Sequence, residues 1–401
     1  MLEELFFIHK NVVKNIPEEF KRYLYDDINW NAKAICIFGS RGVGKTTLLL
    51  QHYLNEYNDV EKCLYISADN INVISNGLYK VAQEFFKYGG EALIIDEAHK
   101  YPNWSLEIKN ILDTYKDKKI FFTSSSIVDL KESKYDLSRR VVYYELKGLS
   151  FREFLAFELK ENLQKYVLKD LLNKHVEYAG NLIDKVPVLK YFKEYLKLGY
   201  YPFYLESKID FVNKLDNIIE KTLLEDLAVK YNIKEHNVYN LKKMLWLISS
   251  SHPFVPNIDK LNRTLGISQE YIHKYFNYLE LAGLINFVRE KDSGFRFVRK
   301  PGKIYLENTN LIYIITGKVN INNEKGNIRE TFFLNQLKDI LTINLCDQGD
   351  FLVDDKYVFE VGGKNKNFSQ IKDLKNSYLA IENIEIGAGN KIPLYLFGFL
   401  Y

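Results

Sequence analysis

Cysteine is scarce: Cys36, Cys63 and Cys346 are the three in 401 residues, far apart and without a Cys-x-x-Cys pair. That excludes a disulfide framework, argues against structural zinc and points to a reducing compartment. Long apolar runs are missing too. No stretch approaches the roughly 18 residues a membrane span needs. The start, Met1-Leu2-Glu3-Glu4-Leu5, is acidic and has neither a basic n-region nor an apolar h-region. A soluble cytoplasmic protein with no membrane partner is expected. Charge of one sign is also lacking: Lys+Arg 55 against Asp+Glu 52 leaves +3. Bulk charge therefore predicts no nucleic-acid partner, and any such contact must come from a local patch. Internal repeats and low-complexity tracts are absent. Hydrophobic content of 47% and charged content of 27% exclude wholesale disorder. Aromatics are plentiful, with 30 Tyr and 26 Phe, and read as core and interface filler. At about 150 residues per domain, the length implies roughly two to three domains.

Apolar runs at residues 32–38, 63–66, 92–95, 120–122 and 141–144 alternate with segments of helical character. Strands alternating with helices imply a parallel sheet with helices on both faces. The first domain is expected to cover residues 1–155. Residues 156–235 lack strand alternation and read as a helical region.

The run after the first strand is Gly39-Ser40-Arg41-Gly42-Val43-Gly44-Lys45-Thr46-Thr47, a full G-x-x-x-x-G-K-[ST] phosphate loop. Glycines let backbone N–H groups converge on phosphates, and the helix that follows aims its positive end at them. Lys45 is expected to neutralise the β- and γ-phosphates of ATP and Thr46 to hold Mg²⁺. The dinucleotide fingerprint does not fit, because its third glycine is missing. The strand Ala92-Leu93-Ile94-Ile95 ends in Asp96-Glu97. Asp96 is expected beside Mg²⁺, and Glu97 is expected to activate the attacking water. A metabolite kinase has less need of such a glutamate, since its nucleophile is a substrate hydroxyl, so the pair favours hydrolysis. Thr123 or Ser125, at the end of the strand at 120–122, is expected to face the γ-phosphate. Arg139 and Arg140 are candidates to stabilise charge on the transferred group; if one acts in trans, the chain must form a homo-oligomer. His99 reads as a hydrogen-bonded loop histidine rather than a base.

Several strings carry a resemblance. They are Asp96-Glu97-Ala98-His99-Lys100-Tyr101-Pro102-Asn103-Trp104, Thr123-Ser124-Ser125-Ser126, Asp136-Leu137-Ser138-Arg139-Arg140, and Leu149-Ser150-Phe151-Arg152-Glu153-Phe154. They resemble the large prokaryotic AAA-type ATPases related to the archaeal ATPase and STAND group. The resemblance runs over most of the chain. It implies a P-loop α/β sheet in the order 5-1-4-3-2, Mg²⁺-ATP binding and cytoplasmic residence. It also implies a winged helix and a C-terminal domain of uncharacterised function. The group usually has glycine where this chain has Ser124.

Residues 236–300 read as helices over 238–251, 257–265 and 269–282, with Asn257 and Ser268 as N-caps. A hairpin is expected from residues 284–289 and 294–298, completing a winged helix. Arg289, Lys291, Arg296, Arg299 and Lys300 make a modest basic wing, while Gln269, Glu270, His273, Lys274 and Asn277 make a poor recognition helix. Non-specific contact with DNA phosphates and service as an interdomain packing module both remain open.

Residues 301–401 return to short strands and turns. Asp350, then Tyr357-Val358-Phe359-Glu360-Val361-Gly362-Gly363-Lys364-Asn365-Lys366, approaches the pattern D…(D/E)-x-K of metal-dependent nucleases. This domain resembles that restriction-nuclease-like α/β fold with one departure. Gly362 stands where the lysine belongs, leaving Lys364 or Lys366 as displaced substitutes. A degenerate, non-cleaving domain is the preferred reading. Asp354 and Asp355 read as a turn pair. Three functions compete: an ATP-driven enzyme acting on DNA, a STAND-like switch, and an ATP-gated nuclease.

Overall fold

The structure, a computed structural model, describes residues 1–125, 137, 139–251, 253–291, 302–317 and 325–401. The chain divides into two compact units, residues 1–148 and 149–401.

The first unit is built on five parallel strands: β1 (Ala34–Phe38), β2 (Cys63–Ser67), β3 (Ala92–Asp96), β4 (Lys119–Ser124) and β5 (Val142–Glu145). Their order across the sheet is β2-β3-β4-β1-β5, which is the expected 5-1-4-3-2 read from the other edge. Every pairing is parallel, with Ile35 beside Phe121 and Val142, and Ser67 beside Asp96. The inner strands are apolar on both faces because helices cover both sides. Ile35, Cys36, Ile37, Leu93, Ile95, Phe121 and Phe122 are all fully buried. Fully burying an aliphatic or aromatic side chain is worth about 1.5–3 kcal/mol, so these strands carry much of the unit's stability.

Helices α1 (Leu2–Val13), α2 (Lys45–Glu56), α3 (Ile71–Asn76), α4 (Leu78–Lys87) and α5 (Trp104–Thr114) accompany the sheet. Helix α1 docks on the sheet through Leu5 and through His9, whose Nδ1 accepts a hydrogen bond from the Tyr65 N–H at 2.8 Å. That bond requires a bare Nδ1. Burial, with help from Lys10, pushes the His9 imidazole down to about 4. Its folded value lies below the ordinary 6.5, so its contribution is fully present above pH 6.5 and is lost as pH falls through about 4. The shift corresponds to at most about 3 kcal/mol. His9→Gln keeps an acceptor and does not titrate, so its acid-unfolding midpoint, followed by circular dichroism, should lie below that of the wild type.

The unit boundary falls at Gly148/Leu149 rather than at residue 155. Helix α6 (Phe151–Leu159) belongs wholly to the second unit. Its N-terminus is a buried capping box: Ser150 Oγ accepts from the Glu153 N–H, and Glu153 Oε2 accepts from the Ser150 N–H. The same hydroxyl donates to the Tyr401 carbonyl at 3.0 Å, and the Phe151 N–H donates to Gln336 Oε1.

The second unit continues with α7 (Leu168–Ile183), α8 (Val188–Glu194), α9 (Phe211–Lys221), α10 (Glu235–Ser249), α11 (Ile258–Leu265) and α12 (Gln269–Leu281). Asn257 and Ser268 cap α11 and α12 as expected. Strand β6 (Ile285–Val288) then pairs antiparallel with β7 (Lys303–Leu306), Ile285 facing Leu306. The expected partner strand at 294–298 lies outside the described residues, as do Arg296, Arg299 and Lys300. The observed partner comes from the segment assigned to the last domain. Ile304, Tyr305 and Leu306 are fully buried, so this run carries the apolar face.

Helices α13 (Thr309–Ile315) and α14 (Lys325–Leu337) precede a second sheet. Its strands are β8 (Ile343–Cys346), β9 (Gly349–Val353), β10 (Tyr357–Gly362), β11 (Ser377–Ile381) and β12 (Lys391–Pro393), in spatial order 12-11-10-9-8. β8, β9 and β10 run antiparallel, while β10, β11 and β12 are parallel. Asp354 and Asp355 form the left-handed turn between β9 and β10, as their sequence suggested. Phe333 of α14 packs against Phe351, Phe359 and Phe397.

Buried amides tie the unit's segments together. A π-helical turn at Tyr195–Gly199 disturbs the regular carbonyl ladder. Asn310 Nδ2 donates to the Tyr195 and Leu196 carbonyls there, and Gln336 Nε2 donates to the Tyr195 hydroxyl. The three regions drawn at 156–235, 236–300 and 301–401 thus share one body.

Candidate nucleotide site

The phosphate loop joins β1 to α2. Gly39, Gly42 and Gly44 all have positive φ, and Gly44 caps the first residue of α2. At Gly39, φ is +148° and a Cβ would lie 2.2 Å from the Leu146 carbonyl oxygen, so only glycine fits. Arg22, buried beneath the loop, donates to the Val43 carbonyl at 2.6 Å and to the Lys147 and Gly148 carbonyls. This anchor was not anticipated; nothing near Arg22 in sequence marks it.

Lys45 is buried, and its Nζ donates to the Gly39 and Ser40 carbonyls at 2.9 Å each. Its cation is held inside the curve of the loop. Thr46 Oγ1 donates to Asp96 Oδ1 at 2.8 Å. Asp96 also accepts from Thr123 Oγ1 at 2.6 Å and from the Tyr65 hydroxyl at 3.0 Å. Burial and the neighbouring Asp96 carboxylate hold the Tyr65 phenol far above its ordinary value, so it serves as a donor.

Glu97 occupies the left-handed region at φ 51°, a backbone state that costs a non-glycine residue about 1 kcal/mol or more. Its N–H donates to Thr123 Oγ1 at 2.8 Å. Its Oε1 accepts from Ser125 Oγ at 2.8 Å. Its Oε2 lies 3.3 Å from Arg41, 3.6 Å from His99 Nε2 and 3.6 Å from Lys100 Nζ. Burial alone would raise the Glu97 carboxyl. The fields of Lys45, His99 and Arg41 and the Ser125 bond outweigh it and hold the group below the usual range.

The residues singled out from sequence therefore separate cleanly. Lys45, Thr46, Asp96, Glu97, Thr123 and Ser125 converge at the C-terminal ends of β1, β3 and β4. Thr123 Oγ1 donates to Asp96 and accepts from the Glu97 N–H, so it joins the two acids. Val43 is fully buried under the loop, and Thr47 lies in the first turn of α2. Arg140 is not brought there. It precedes β5, level with the start of β1, about 20 Å along the strands from the loop. Both its Nε and Nη2 bond Asp113, at 2.8 and 3.0 Å. Arg139 is exposed beside it. Ser126, Asp136 and Ser138 lie outside the described residues.

A second cluster of charge lies in the second unit. Asp350 Oδ2 accepts from the Val361 N–H, and its Oδ1 lies 3.6 Å from Lys303 Nζ. Glu330 of α14 lies 3.8 Å from the same ammonium and accepts from the Tyr305 hydroxyl at 2.7 Å. Glu360 is ion-paired with Lys366, whose stem lies over Gly362: a Cβ there would sit 2.6 Å from Lys366 Cβ. Of the two lysines after β10, Lys366 is the one that meets Glu360, and Lys364 is exposed. Burial and the nearby Asp350 push Glu330 up to about 7, despite Lys303. Burial also raises Glu360, with Asp350 adding to it against the Lys366 bond. Among the described residues, no three His, Cys, Asp or Glu side chains are grouped to hold a metal ion. Glu330 and Lys303 were not foreseen, because no spacing links them to Asp350 or Glu360.

Residues 31–155 match the family model described as an AAA domain. Together with the sheet order and the loop, this makes the first unit a P-loop domain of the AAA class. Residues 189–320 match a domain of unknown function, DUF8612, which crosses both boundaries drawn from sequence at 235 and 300. Two uncharacterized proteins of Methanocaldococcus jannaschii are similar. MJ1637 is 27% identical over 305 residues, covering 72% of this chain and 63% of the relative. MJ1544 is 28% identical over 264 residues, covering 62% and 55%. The chain spans less than two thirds of the length of either. Among solved structures, AMPPCP-bound DnaA from Aquifex aeolicus overlaps 69% of this chain and 88% of its own, at 16% identity and a TM-score of 0.28. The Aeropyrum pernix ORC1 protein in complex with DNA overlaps 79% and 92%, at 12% identity and a TM-score of 0.30. Overlaps this loose carry no argument about function. Among the described residues, no helix is long and apolar enough to cross a membrane.

Proposed function

We propose that the first unit binds Mg²⁺-ATP and hydrolyses it to ADP and phosphate. One observation carries the reading: Lys45, Thr46, Asp96 and Glu97 meet at one end of the sheet, joined through Thr123 and Ser125. The residues fit the ligand. The glycine-built loop, with Lys45 held inside it, matches a polyphosphate, and the N-cap of α2 is Gly44, which has no side chain to cap the helix. Thr46 and Asp96 supply the hard oxygen donors that Mg²⁺ takes. When bound, that ion neutralises charge on the β- and γ-phosphate oxygens. Lys45 holds those phosphates. Glu97 accepts a proton from the water that attacks the γ-phosphorus. Thr123 and Ser125 fix the Glu97 backbone and carboxylate. Phosphate release by the purified chain, with and without Mg²⁺, tests the reading; no release above buffer would reject it.

Arg140 can meet a nucleotide only from a neighbouring copy, and its bond to Asp113 would have to open first. Turnover per molecule that is independent of protein concentration would remove it from the reaction.

For the second unit we propose a binding platform that does not cleave DNA, with α10 to α12 and the β6–β7 pair acting as a winged helix. Lys303 and Lys366 satisfy the three carboxylates, as a metal ion otherwise would. The helix proposed for recognition is poorly equipped: Lys274 pairs with Glu270, and Gln269 donates to Asp259. Contact with DNA should be non-specific and weaken steeply with salt. Plasmid incubated with the protein, Mg²⁺ or Mn²⁺, and ATP should stay supercoiled. Nicking that vanishes in Asp350→Ala would overturn this and establish an ATP-gated nuclease with Lys366 as its lysine.

A further inference from the structure

The phosphate-loop pattern leaves its third position open, and this chain places Arg41 there. The Arg41 guanidinium reaches across 56 positions of sequence to Glu97, Nη1 lying 3.3 Å from Oε2. Both side chains are largely withdrawn from water, at 14% and 20% exposure, so the contact is more than a solvated surface pair. Oε2 also lies 3.6 Å from both His99 and Lys100, while Oε1 takes the Ser125 hydroxyl. A carboxylate occupied on both oxygens is poorly disposed to accept a proton from water. Lys45 is likewise turned onto the loop's own carbonyls. Both key charges of the site thus have partners within the protein.

We propose that Arg41 is a γ-phosphate sensor that restrains Glu97 until ATP arrives. The inference rests on the nucleotide site described above. Arg41 stands within the loop that wraps the phosphates, on the side where Glu97 lies. A γ-phosphate placed there carries more negative charge than one carboxylate and accepts guanidinium N–H groups as a carboxylate does. Arg41 therefore exchanges Glu97 for the γ-phosphate, and Glu97 becomes free to take a proton from water. ADP has no γ-phosphate and leaves the Arg41–Glu97 pair closed. The arrangement thus links discrimination between ATP and ADP to release of the base.

Because Arg41 serves two competing anions, removing one should strengthen its hold on the other. This is testable by binding alone. Calorimetric titrations with ADP and with a non-hydrolysable ATP analogue, both with Mg²⁺, are compared in wild type, Arg41→Ala, Arg41→Lys, Glu97→Gln and the double variant Arg41→Ala/Glu97→Gln. Arg41→Ala should weaken the analogue about tenfold and change ADP less than twofold. Arg41→Lys should recover part of the loss. Glu97→Gln should bind the analogue several-fold more tightly than wild type, and this gain should vanish in the Arg41→Ala background. Equal losses for ADP and the analogue in Arg41→Ala would overturn the proposal, since a misfolded loop or a general phosphate contact behaves so. A Glu97→Gln gain that persists without Arg41 would also overturn it. If wild type binds neither nucleotide, the nucleotide site itself is wrong; if wild type binds both and only the selectivity pattern fails, the sensor alone is wrong.

Discussion

Glu97→Gln should retain nucleotide binding and lose ATP turnover by about 10²-fold or more, the usual range for removing a general base. The amide has nearly the carboxylate's shape, so the Ser125 bond to Oε1 and the backbone bond from the Glu97 N–H to Thr123 both survive. What disappears is the capacity to accept a proton. The negative charge shared by Arg41, His99 and Lys100 goes as well, which is why binding of an ATP analogue should tighten rather than weaken. Phosphate release and calorimetry on the same preparation separate the two effects. Unchanged turnover would remove Glu97 from the chemistry and turn attention to Asp96 beside it.

The second large effect is expected at Lys45. Lys45→Ala removes the cation that bridges the Gly39 and Ser40 carbonyls, so it both undoes the loop's internal support and deprives the phosphates of their main side-chain charge. Truncating one member of a buried charge pair typically costs about 2–5 kcal/mol, which corresponds to roughly 30-fold to several thousand-fold in affinity. ADP and an ATP analogue should suffer alike, because the lysine meets phosphates common to both. That pattern contrasts with the selective loss expected for Arg41→Ala. A thermal-unfolding midpoint close to wild type would show that the fold persists, and affinity retained in such a protein would contradict the assignment.

The parts of this site that sequence made legible are local. The Gly39–Thr47 loop is contiguous, and Asp96-Glu97 ends a strand whose four preceding residues are all apolar. The strands themselves were visible because a parallel sheet covered on both faces needs uninterrupted apolar runs. Other features depend on contacts remote in sequence. Arg22 under the loop, Tyr65 on Asp96 and Arg41 on Glu97 join positions 21, 31 and 56 apart. The compact unit ends a few residues before position 155, where the AAA match ends, for a similar reason. The motif Leu149-Ser150-Phe151-Arg152-Glu153-Phe154 follows the first sheet in sequence, yet the Ser150 hydroxyl is engaged 251 residues later. The strand expected at 294–298 lies outside the described residues, and the partner seen for β6 is the buried strand Lys303–Leu306, just beyond the basic run. In the last sheet, Asp350 and Glu360 suggested a metal site. The lysines that satisfy the cluster come from β7 and from the turn after β10, which the D…(D/E)-x-K pattern does not anticipate.

The central claim is that one P-loop site in the first unit turns over ATP. Its most direct test is steady-state phosphate release from Mg²⁺-ATP by the wild-type chain and by Lys45→Ala, purified identically and compared at equal concentration. The account predicts release proportional to wild-type protein, dependent on Mg²⁺, and reduced to the buffer rate in Lys45→Ala. Equal release by the two proteins, or none by either, would contradict it.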